Sequence, residues 1–316
     1  MMEDYQKVYT QTSISDIIKK ETLIAVEKTA TVQELLAVLH KHCLTSVPVV
    51  DSDTGKNRVI GFVDTNDVLA LLVKICENAS VCHHAMRLLS IGFLHTTVSN
   101  IMDLSKKDQF TVVLEEQSLF EVMKMYARGV YRVALLSIFS DIEDIVSQSA
   151  VISFIADNVS VLGTLKNKTI LDLLPQLVDK ADVISTQAST LVYDTFKSMH
   201  HHGVTAVPVL SDQTGQIIGT LSINDLSSLK EDNMDLLLQS TERFISRNDM
   251  LDPNKHKPSY PIIISVKDTL THAIEMLAKY KIHRLWIVDE HRKPISILSL
   301  TDVCKIITEP PAELKA

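Results

Sequence analysis

Apolar residues in this chain recur at helical spacing in four separate segments. In each segment they fall at positions i, i+3, i+4 and i+7, which places them on one face of an amphipathic helix. The four sets are Val32, Leu35, Leu36 and Leu39; Leu119, Val122, Met123 and Tyr126; Val192, Thr195, Phe196 and Met199; and Leu270, Ala273, Ile274 and Leu277. The pattern therefore predicts four copies of one helix, which recur roughly every 80 residues along the chain.

Each predicted helix is followed by two short apolar segments that have the composition of strands. The first is SVPVVD, RVALLS, AVPVLS or LWIVDE, and the second is VIGFV, DIVSQ, IIGTL or ISILS. The second segment is rich in β-branched residues, and a further helix begins directly after it. Two strands that flank a crossover helix in so short a unit are expected to be parallel neighbours in a small sheet covered by helices.

These elements predict an α/β (α+β) protein built from four tandem βαββα repeats. One such unit cannot bury its apolar faces alone, so we expect two pairs, the first repeat with the second and the third with the fourth. The boundary between the pairs is expected near residues 158–169, and the connectors 76–107 and 230–257 are expected to be partly helical. The predicted repeats span residues 12–75, 98–157, 168–229 and 258–309.

The composition is that of a compact protein with an acidic surface. The chain has 316 residues, of which 46% are hydrophobic and 22% are charged. Its net charge of −8 argues against binding nucleic acid or an anionic membrane. The four cysteines form no CxxC pair, so we expect neither a disulfide framework nor a metal site. No long apolar run or signal sequence is evident, which predicts a soluble cytoplasmic protein, with the nucleus as a second location.

A four-residue motif begins the helix that follows the second strand segment. Its first and last positions are Asp64 and Asp67, Ser147 and Ala150, Ser222 and Asp225, and Ser299 and Asp302 in repeats one to four. One interpretation is a capping box at a helix N-terminus. The other is ligand binding, because the motif follows a strand end and a carboxylate there can accept hydrogen bonds from two ribose hydroxyls. The two roles are compatible.

Basic residues lie at the start of the first strand segment in repeats two and four. Tyr131 and Arg132 in repeat two correspond to His283 and Arg284 in repeat four. A guanidinium offers a planar fork of donors to phosphate, and His adds a donor or a charge near neutral pH. A solvated surface pair is the alternative. Beside ribose-binding acids in one crevice, these residues would form a phosphate site in an otherwise acidic protein.

The remaining motifs favour structural roles. Three consecutive histidines, His200, His201 and His202, point in different directions on a helix, so we expect them to end it, with Gly203 as the C-cap, and not to bind a metal. Trp286 occupies a strand position and is predicted to be core. The chain has no P-loop, GxGxxG, GxSxG, HExxH or protein-kinase signature, so we predict that it is not an enzyme. An unrecognised active site remains the alternative.

The segments VPVVD, GTLSINDL and KIHRLWIVD followed by ILSLTDV resemble cystathionine β-synthase (CBS) domains. Four such domains in tandem resemble the γ regulatory subunit of AMP-activated (SNF1-related) protein kinase, and the resemblance covers nearly the whole chain. It implies four CBS repeats packed as two Bateman-type pairs. It also implies that AMP, ADP and ATP are the ligands and that no further cofactor is required.

The resemblance implies roles for individual residues. HRLWIV followed by SLTD is similar to the γ-subunit arrangement in which His and Arg hold the phosphates and the closing Asp holds the ribose. By this matching, the nucleotide-binding residues are Thr65, Asp67, Tyr131, Arg132, Thr205, Ala206, Ser222, Asp225, His283, Arg284, Ser299, Leu300, Thr301 and Asp302. The second repeat of the family also lacks the acid, as at Ala150, so one of four pockets is expected to be vacant.

Three departures from the family pattern reduce the positive charge of the expected sites. Thr45 stands where the family often has Arg, Ser149 stands where animal members have Lys, and Tyr131 replaces the usual His. The predicted function is nevertheless that of a non-catalytic, adenine-nucleotide-sensing subunit that assembles with kinase catalytic (α) and scaffold (β) subunits. The alternative is a γ-like CBS scaffold that regulates a phosphatase or another partner without nucleotide control.

Overall fold

The computed structural model describes residues 4–18, 23–53, 58–77, 83–107, 110–136, 142–177, 183–251 and 261–309. Within these ranges the chain forms four three-stranded sheets, one in each predicted repeat, with helices on either side along the sequence. The mixed α/β class and the fourfold repeat predicted from the sequence are therefore confirmed. The predicted first residue of repeat four, residue 258, lies outside the described residues.

Repeats one and two are preceded by a short N-terminal helix and joined by two connecting helices. The elements are α1 (Asp4–Gln11), β1 (Val26–Glu27), α2 (Val32–His42), β2 (Ser46–Asp51), β3 (Arg58–Asp64), α3 (Thr65–Cys76), α4 (His83–Leu94), α5 (Val98–Ile101), β4 (Val112–Leu114), α6 (Leu119–Ala127), β5 (Arg132–Leu136), β6 (Ile142–Ser147) and α7 (Gln148–Asp157). Thr31 begins α2 as a capping box with Glu34, and Ser118 caps α6, so both helices begin where their first turn gains a side-chain acceptor.

Repeats three and four follow the same order of elements. These are α8 (Ile170–Leu177), β7 (Thr186–Gln187), α9 (Val192–His202), β8 (Ala206–Leu210), β9 (Ile217–Ser222), α10 (Thr241–Leu251), β10 (Ile263–Ser265), α11 (Leu270–Lys279), β11 (Arg284–Val288), β12 (Pro294–Ser299) and α12 (Leu300–Thr308). The segments Val159–Asn167, Ile223–Ser228 and Met234–Leu238 are 3₁₀ helices. Helix α9 ends at Gly203 in the left-handed conformation, with φ of 69°, which confirms the predicted C-cap.

Strand pairing is the same in all four sheets. The strand before the amphipathic helix pairs in parallel with the strand after it, which confirms the predicted crossover, and the next two strands pair antiparallel. The last pairs of these antiparallel ladders are Ser46 with Asp64, Arg132 with Ser147, Ala206 with Ser222, and Arg284 with Ser299. This register places the basic positions and the capping motifs at the same end of each sheet.

The helices bury their apolar faces between repeats that are not consecutive in the sequence. One core joins repeats one and three and contains Leu36, Leu69 and Phe196, while a second core joins repeats two and four and contains Met123 and Ile274. Helix α6 packs on α12, and α7 packs on α11. The apolar pattern does not predict this cross-packing, because periodicity identifies a buried helix face without identifying the repeat that covers it.

Consecutive repeats are joined through the segments that enter each repeat and through their sheets, which confirms the predicted pairs. The expectation that these pairs bury the apolar helix faces is wrong, because those faces are covered by repeats that are not consecutive. The connecting β-bridges are Ser13 to Ser118, Thr31 to Thr97, Thr169 to Thr269, and Leu191 to Ser240. Between repeats three and four, Ala206, Trp286 and Val288 form a small apolar cluster. The predicted core position of Trp286 is confirmed, and its indole N–H donates to the Thr220 hydroxyl at 2.8 Å.

No single helix in the described part of the chain is long and apolar enough to span a membrane. The helices Gln148–Asp157 and Val159–Asn167 together reach the required length and composition, but they are bent by 85° relative to each other. Their apolar residues Ile152, Leu162 and Leu165 belong to the core of repeats two and four.

Candidate functional site at the junctions between repeats

The basic positions and the capping motifs meet at two junctions, one in each pair of repeats. We call the buried group Asp64, Asp67 and Arg132, at the junction of repeats one and two, the first cleft. The second cleft lies between repeats three and four and comprises Thr205, Ser222, Asp225, Arg284 and Asp302. In both clefts the capping motifs follow the carboxyl ends of antiparallel strands, and Arg132 and Arg284 stand at the amino ends of β5 and β11.

The motif residues cap the helices that begin beside them, which confirms the capping-box interpretation. The Asp225 carboxylate accepts a hydrogen bond from the Ser222 N–H at 2.7 Å. The Asp302 carboxylate accepts from the Ser299 N–H at 2.7 Å and from the Ser299 hydroxyl at 2.6 Å. Ser147 in repeat two makes no side-chain cap bond. Capping therefore uses one oxygen of each closing acid and fixes its orientation at the strand end.

The first cleft contains an internal ion pair. The Asp64 carboxylate caps α3 by accepting from the backbone N–H groups of Asn66 and Asp67 at 2.8 and 3.0 Å. Its second oxygen lies 3.6 Å from a guanidinium nitrogen of Arg132, and the two side chains are only 4% and 7% exposed. The guanidinium carbon of Arg132 also lies 5.8 Å from the centre of the Phe62 ring. Arg132, predicted to reach a phosphate, thus contacts a carboxylate of the protein.

Both oxygens of Asp67, the predicted ribose ligand of repeat one, accept hydrogen bonds from the backbone. One accepts from the Asp64 N–H at 3.1 Å and the other from the Ser105 N–H at 2.8 Å. Burial, together with the negative charge of Asp64, raises the pKa of Asp67 to about 6. Asp67 is therefore held by its own repeat and by the connector that follows it.

Lys107 places a second cation near the first cleft. Burial lowers the pKa of Lys107, and the charge of Asp64 opposes that shift. Burial also lowers the pKa of His200 at the end of α9, with a smaller contribution from the Lys107 charge. Asp64 thus forms an ion pair with Arg132 and also favours the charged form of Lys107.

The second cleft is arranged differently around Arg284. The guanidinium of Arg284 donates a hydrogen bond to the Thr205 hydroxyl of repeat three. Burial lowers the pKa of Arg284 to about 10, while the nearby Tyr131 and Asp302 oppose that shift. No carboxylate of the described residues lies within salt-bridge distance of this guanidinium. Its direct side-chain contact is a neutral hydroxyl.

Thr205 connects the cation of the second cleft to the capping motif. Its carbonyl accepts from the Ser222 hydroxyl at 3.5 Å and from the Ile223 N–H at 3.1 Å, while its own hydroxyl accepts from Arg284. The second oxygen of Asp225 accepts no hydrogen bond from the described residues. The second cleft therefore combines a guanidinium that has no salt bridge with a described carboxylate and an Asp225 oxygen that accepts no hydrogen bond from the described residues.

Other residues predicted for the site lie in the interfaces between repeats. The Thr65 hydroxyl donates to the Asn224 side chain at 3.2 Å, and the Thr301 hydroxyl accepts from the Gln148 amide at 3.0 Å. These two bonds join repeat one to three and repeat two to four. Two further predicted residues, Leu300 and Ala206, are buried in apolar clusters. The His283 carbonyl accepts from the Leu300 N–H, and the Tyr131 carbonyl accepts from the Gln148 N–H.

Sequence reasoning did not find the Asp64 to Arg132 pair or the contribution of the connector. The signal for the pair is the Asp at a position where the other three repeats have Ser. Ser105 and Lys107 carry no comparable signal, because the connector between repeats one and two has no repeated pattern. Within the described ranges, no three His, Cys, Asp or Glu side chains lie close enough together to hold a metal ion.

Two solved structures have similar folds. A protein from Methanocaldococcus jannaschii, described as a proposed archaeal homologue of γ-AMPK, superposes with a TM-score of 0.72 and 17% identity over 93% of this chain and 99% of its own. A conserved protein from Pyrococcus horikoshii superposes with a TM-score of 0.54 and 16% identity over 94% of this chain and all of its own. At these identities the likeness establishes the fold.

Sequence relatives occur among yeasts. Protein SDS23 of Candida glabrata is 28% identical over 89% of this chain and 54% of its own length. Protein SDS23 of Kluyveromyces lactis is 27% identical over 96% of this chain and 63% of its own length. The chain thus spans between half and two thirds of the length of these relatives.

The family model of the CBS domain matches three segments of the chain, residues 14–74, 177–232 and 258–309. These segments contain repeats one, three and four as the structure describes them, and together they make up more than half of the chain. The chain therefore belongs to the CBS domain family, a family of regulatory domains.

Proposed function

We propose that this chain is a non-catalytic regulatory subunit that binds an adenine nucleotide, AMP, ADP or ATP, in the second cleft. The observation that carries the proposal is the half-buried Arg284 guanidinium, which contacts the Thr205 hydroxyl and no described carboxylate. Removing a charge from water costs free energy unless an opposite charge compensates it. A phosphate would supply that charge and accept two parallel N–H bonds from the guanidinium.

The acids of the second cleft would bind the ribose of the nucleotide, while Arg284 binds its phosphate. Asp225 and Asp302 lie at strand ends with one oxygen fixed by the capping serine. A carboxylate in this position can accept from the two hydroxyls of a ribose. Since the chain has a net charge of −8, the local cation at Arg284 is what directs an anion to this junction.

Regulation would follow from the position of the ligand between repeats. Arg284 contacts Thr205 of repeat three and lies near Tyr131 of repeat two, so a ligand on its guanidinium touches a junction of three repeats. A ligand shifts an equilibrium only by its difference in affinity for the two arrangements, typically about 1 to 3 kcal/mol. The γ-AMPK homology proposed for the archaeal neighbour supports kinase catalytic (α) and scaffold (β) subunits as the partners that respond.

Isothermal titration calorimetry of the purified chain with AMP, ADP and ATP tests the proposal. We expect saturable binding, and Arg284→Gln should weaken it by about tenfold or more because a charge-assisted hydrogen bond to phosphate is lost. The same change at the exposed Arg58 is the control and should leave the affinity unchanged. An absence of heat at high micromolar nucleotide, together with no nucleotide released on denaturation, would rule the proposal out.

The first cleft favours one further candidate function, a CBS scaffold without nucleotide control. There, Arg132 is already paired with Asp64, as expected where a phosphate site has been lost. Affinity capture separates the two functions by the identity of the partner. Recovery of a kinase catalytic subunit with its scaffold subunit supports the sensor, while recovery of a phosphatase without a kinase, from a chain that binds no nucleotide, supports the scaffold.

A further inference from the structure

We propose that Asp64 is a built-in counter-ion that takes the place of a ligand phosphate in the first cleft, so that the chain binds one nucleotide, in the second cleft. This inference rests on the proposed function. Asp64 is the residue that determines which of the two clefts can bind a phosphate. Its carboxylate lies 3.6 Å from the Arg132 guanidinium, and both side chains are almost completely buried.

The two clefts are comparable position by position. Asp64 ends β3 opposite Ser46, and Ser222 ends β9 opposite Ala206, so the two residues occupy the same register position. Arg132 and Arg284 likewise begin their strands opposite Ser147 and Ser299, respectively. Arg284 therefore has in the second pair of repeats the position that Arg132 has in the first, and Ser222 has the position of Asp64.

The carboxylate of Asp64 supplies a negative charge to the cations of the first cleft and would repel an anionic ligand. It pairs with Arg132, and it favours the charged form of the half-buried Lys107. A phosphate placed beside this carboxylate would meet a like charge in surroundings where charge interactions are strong. Because both oxygens of Asp67 are taken by backbone N–H groups, a ribose would also displace an existing hydrogen bond there.

Reciprocal exchange of the two residues tests the inference, with AMP as the titrant. Wild type should bind one AMP per chain. Asp64→Ser should leave Arg132 and Lys107 available to a phosphate and raise the stoichiometry to two. Ser222→Asp should place a carboxylate within reach of Arg284 and weaken AMP binding by at least about tenfold. Ser222→Asn is the matched neutral comparison, because Asn caps a helix as well as Asp does without its charge, and it should weaken AMP binding less than Ser222→Asp does.

The outcomes separate the inference from the proposed function. If the wild-type chain binds no AMP, the proposed function is wrong. If it binds two AMP molecules per chain, the inference is wrong and the proposed nucleotide binding stands. A folded Asp64→Ser variant that still binds one AMP also overturns the inference. If Asp64→Ser does not fold, the AMP affinity of Ser222→Asp tests the inference. An affinity equal to that of wild type contradicts the role of the carboxylate. An affinity clearly lower than that of Ser222→Asn supports it.

Discussion

The two clefts of this protein share one backbone arrangement and differ in how their arginines are compensated. In the first cleft Arg132 pairs with the Asp64 carboxylate, and in the second Arg284 donates to the Thr205 hydroxyl. The difference follows from one position, which is Asp64 in repeat one and Ser222 in repeat three. Both residues are the N-cap of the helix that follows, an α-helix after Asp64 and a 3₁₀ helix after Ser222, and only Asp64 brings a charge to the junction.

Under the two proposals made above, a capping position also determines ligand binding. Asp and Ser are both strong N-cap residues, and exchange between them costs the helix little. The charge of the cap nevertheless decides whether the facing arginine already has a counter-ion. An ion pair within the protein and a site for an anion from solution are therefore alternatives at the same place in the fold.

The largest contrast between the clefts is expected in stability. Arg132→Met removes one partner of a buried ion pair and leaves Asp64 without the cation that it contacts directly, so it should lower the free energy of unfolding by about 3 to 5 kcal/mol. Arg284→Met removes a hydrogen bond to a hydroxyl and a desolvated charge, so it should cost about 1 kcal/mol or less. Urea unfolding monitored by circular dichroism measures both values.

A double mutant establishes whether the pair itself is responsible. If Asp64 and Arg132 act together, Asp64→Ser combined with Arg132→Met should be more stable than the sum of the single changes predicts, by about 1 to 3 kcal/mol. Additive effects would show that Arg132 stabilises the chain by packing on Phe62, where its guanidinium carbon lies 5.8 Å from the ring centre. Equal losses for Arg132→Met and Arg284→Met would contradict the contrast between the clefts.

Much of the fold could be predicted from the sequence because it depends on local patterns that recur. The spacing of residues such as Leu35 and Leu39 identifies a helix face, and four repetitions exclude chance. The covering of helix faces by non-consecutive repeats could not be predicted. Phe196 of repeat three packs in the core of repeat one, and nothing in its spacing along the chain specifies that neighbour.

The candidate site was predictable to the level of residue type and strand position. Arg284 and Asp302 carry recognisable chemistry, and the structure places both in the second cleft. Thr65 and Thr301 have the same kind of motif position, yet their hydroxyls bond to Asn224 and to Gln148 of other repeats. Which side of a turn faces a ligand and which faces another repeat depends on the tertiary packing, which a single repeat does not encode.

The second contrast concerns pH and is expected to be intermediate in size. The folded-state pKa of Asp67 is about 6, above its ordinary value of 3.8. Between these values the folded chain keeps a proton that the unfolded chain has released, so stability falls as the pH rises through this window. The expected loss is on the order of 2 to 3 kcal/mol, and it is complete above the folded-state pKa.

Removing the Asp64 charge should reduce this dependence on pH. Burial is the larger cause of the raised pKa of Asp67 and Asp64 is the smaller one, so Asp64→Ser should lower that pKa without restoring its ordinary value. The carboxyl carbon chemical shift of Asp67 reports the pKa, and urea unfolding at pH 4.5 and pH 7 reports the stability. Asp157→Ser, the same change at an exposed position, should leave both unchanged. A pKa that stays at its wild-type value in Asp64→Ser would show that burial alone is responsible.

The smallest contrast concerns the two threonines that directly precede β2 and β8, Thr45 and Thr205. Thr205→Val removes the acceptor that holds Arg284 and leaves the size of the side chain nearly unchanged. The guanidinium would then lose its fixed orientation before the ligand arrives, so the affinity for AMP should fall about three- to tenfold. Thr45→Val is the matched change in repeat one and should have no effect on AMP binding, because the arginine of the first cleft is already held by Asp64.

The Thr205 and Thr45 variants also distinguish orientation from a direct ligand contact. Arg284→Gln combined with Thr205→Val should bind AMP no more weakly than Arg284→Gln alone if Thr205 acts only through the guanidinium. A further loss in the double variant would mean that the hydroxyl contacts the nucleotide itself. Equal losses for Thr45→Val and Thr205→Val would mean that both clefts bind AMP, and the difference between Asp64 and Ser222 would then have no consequence for the ligand.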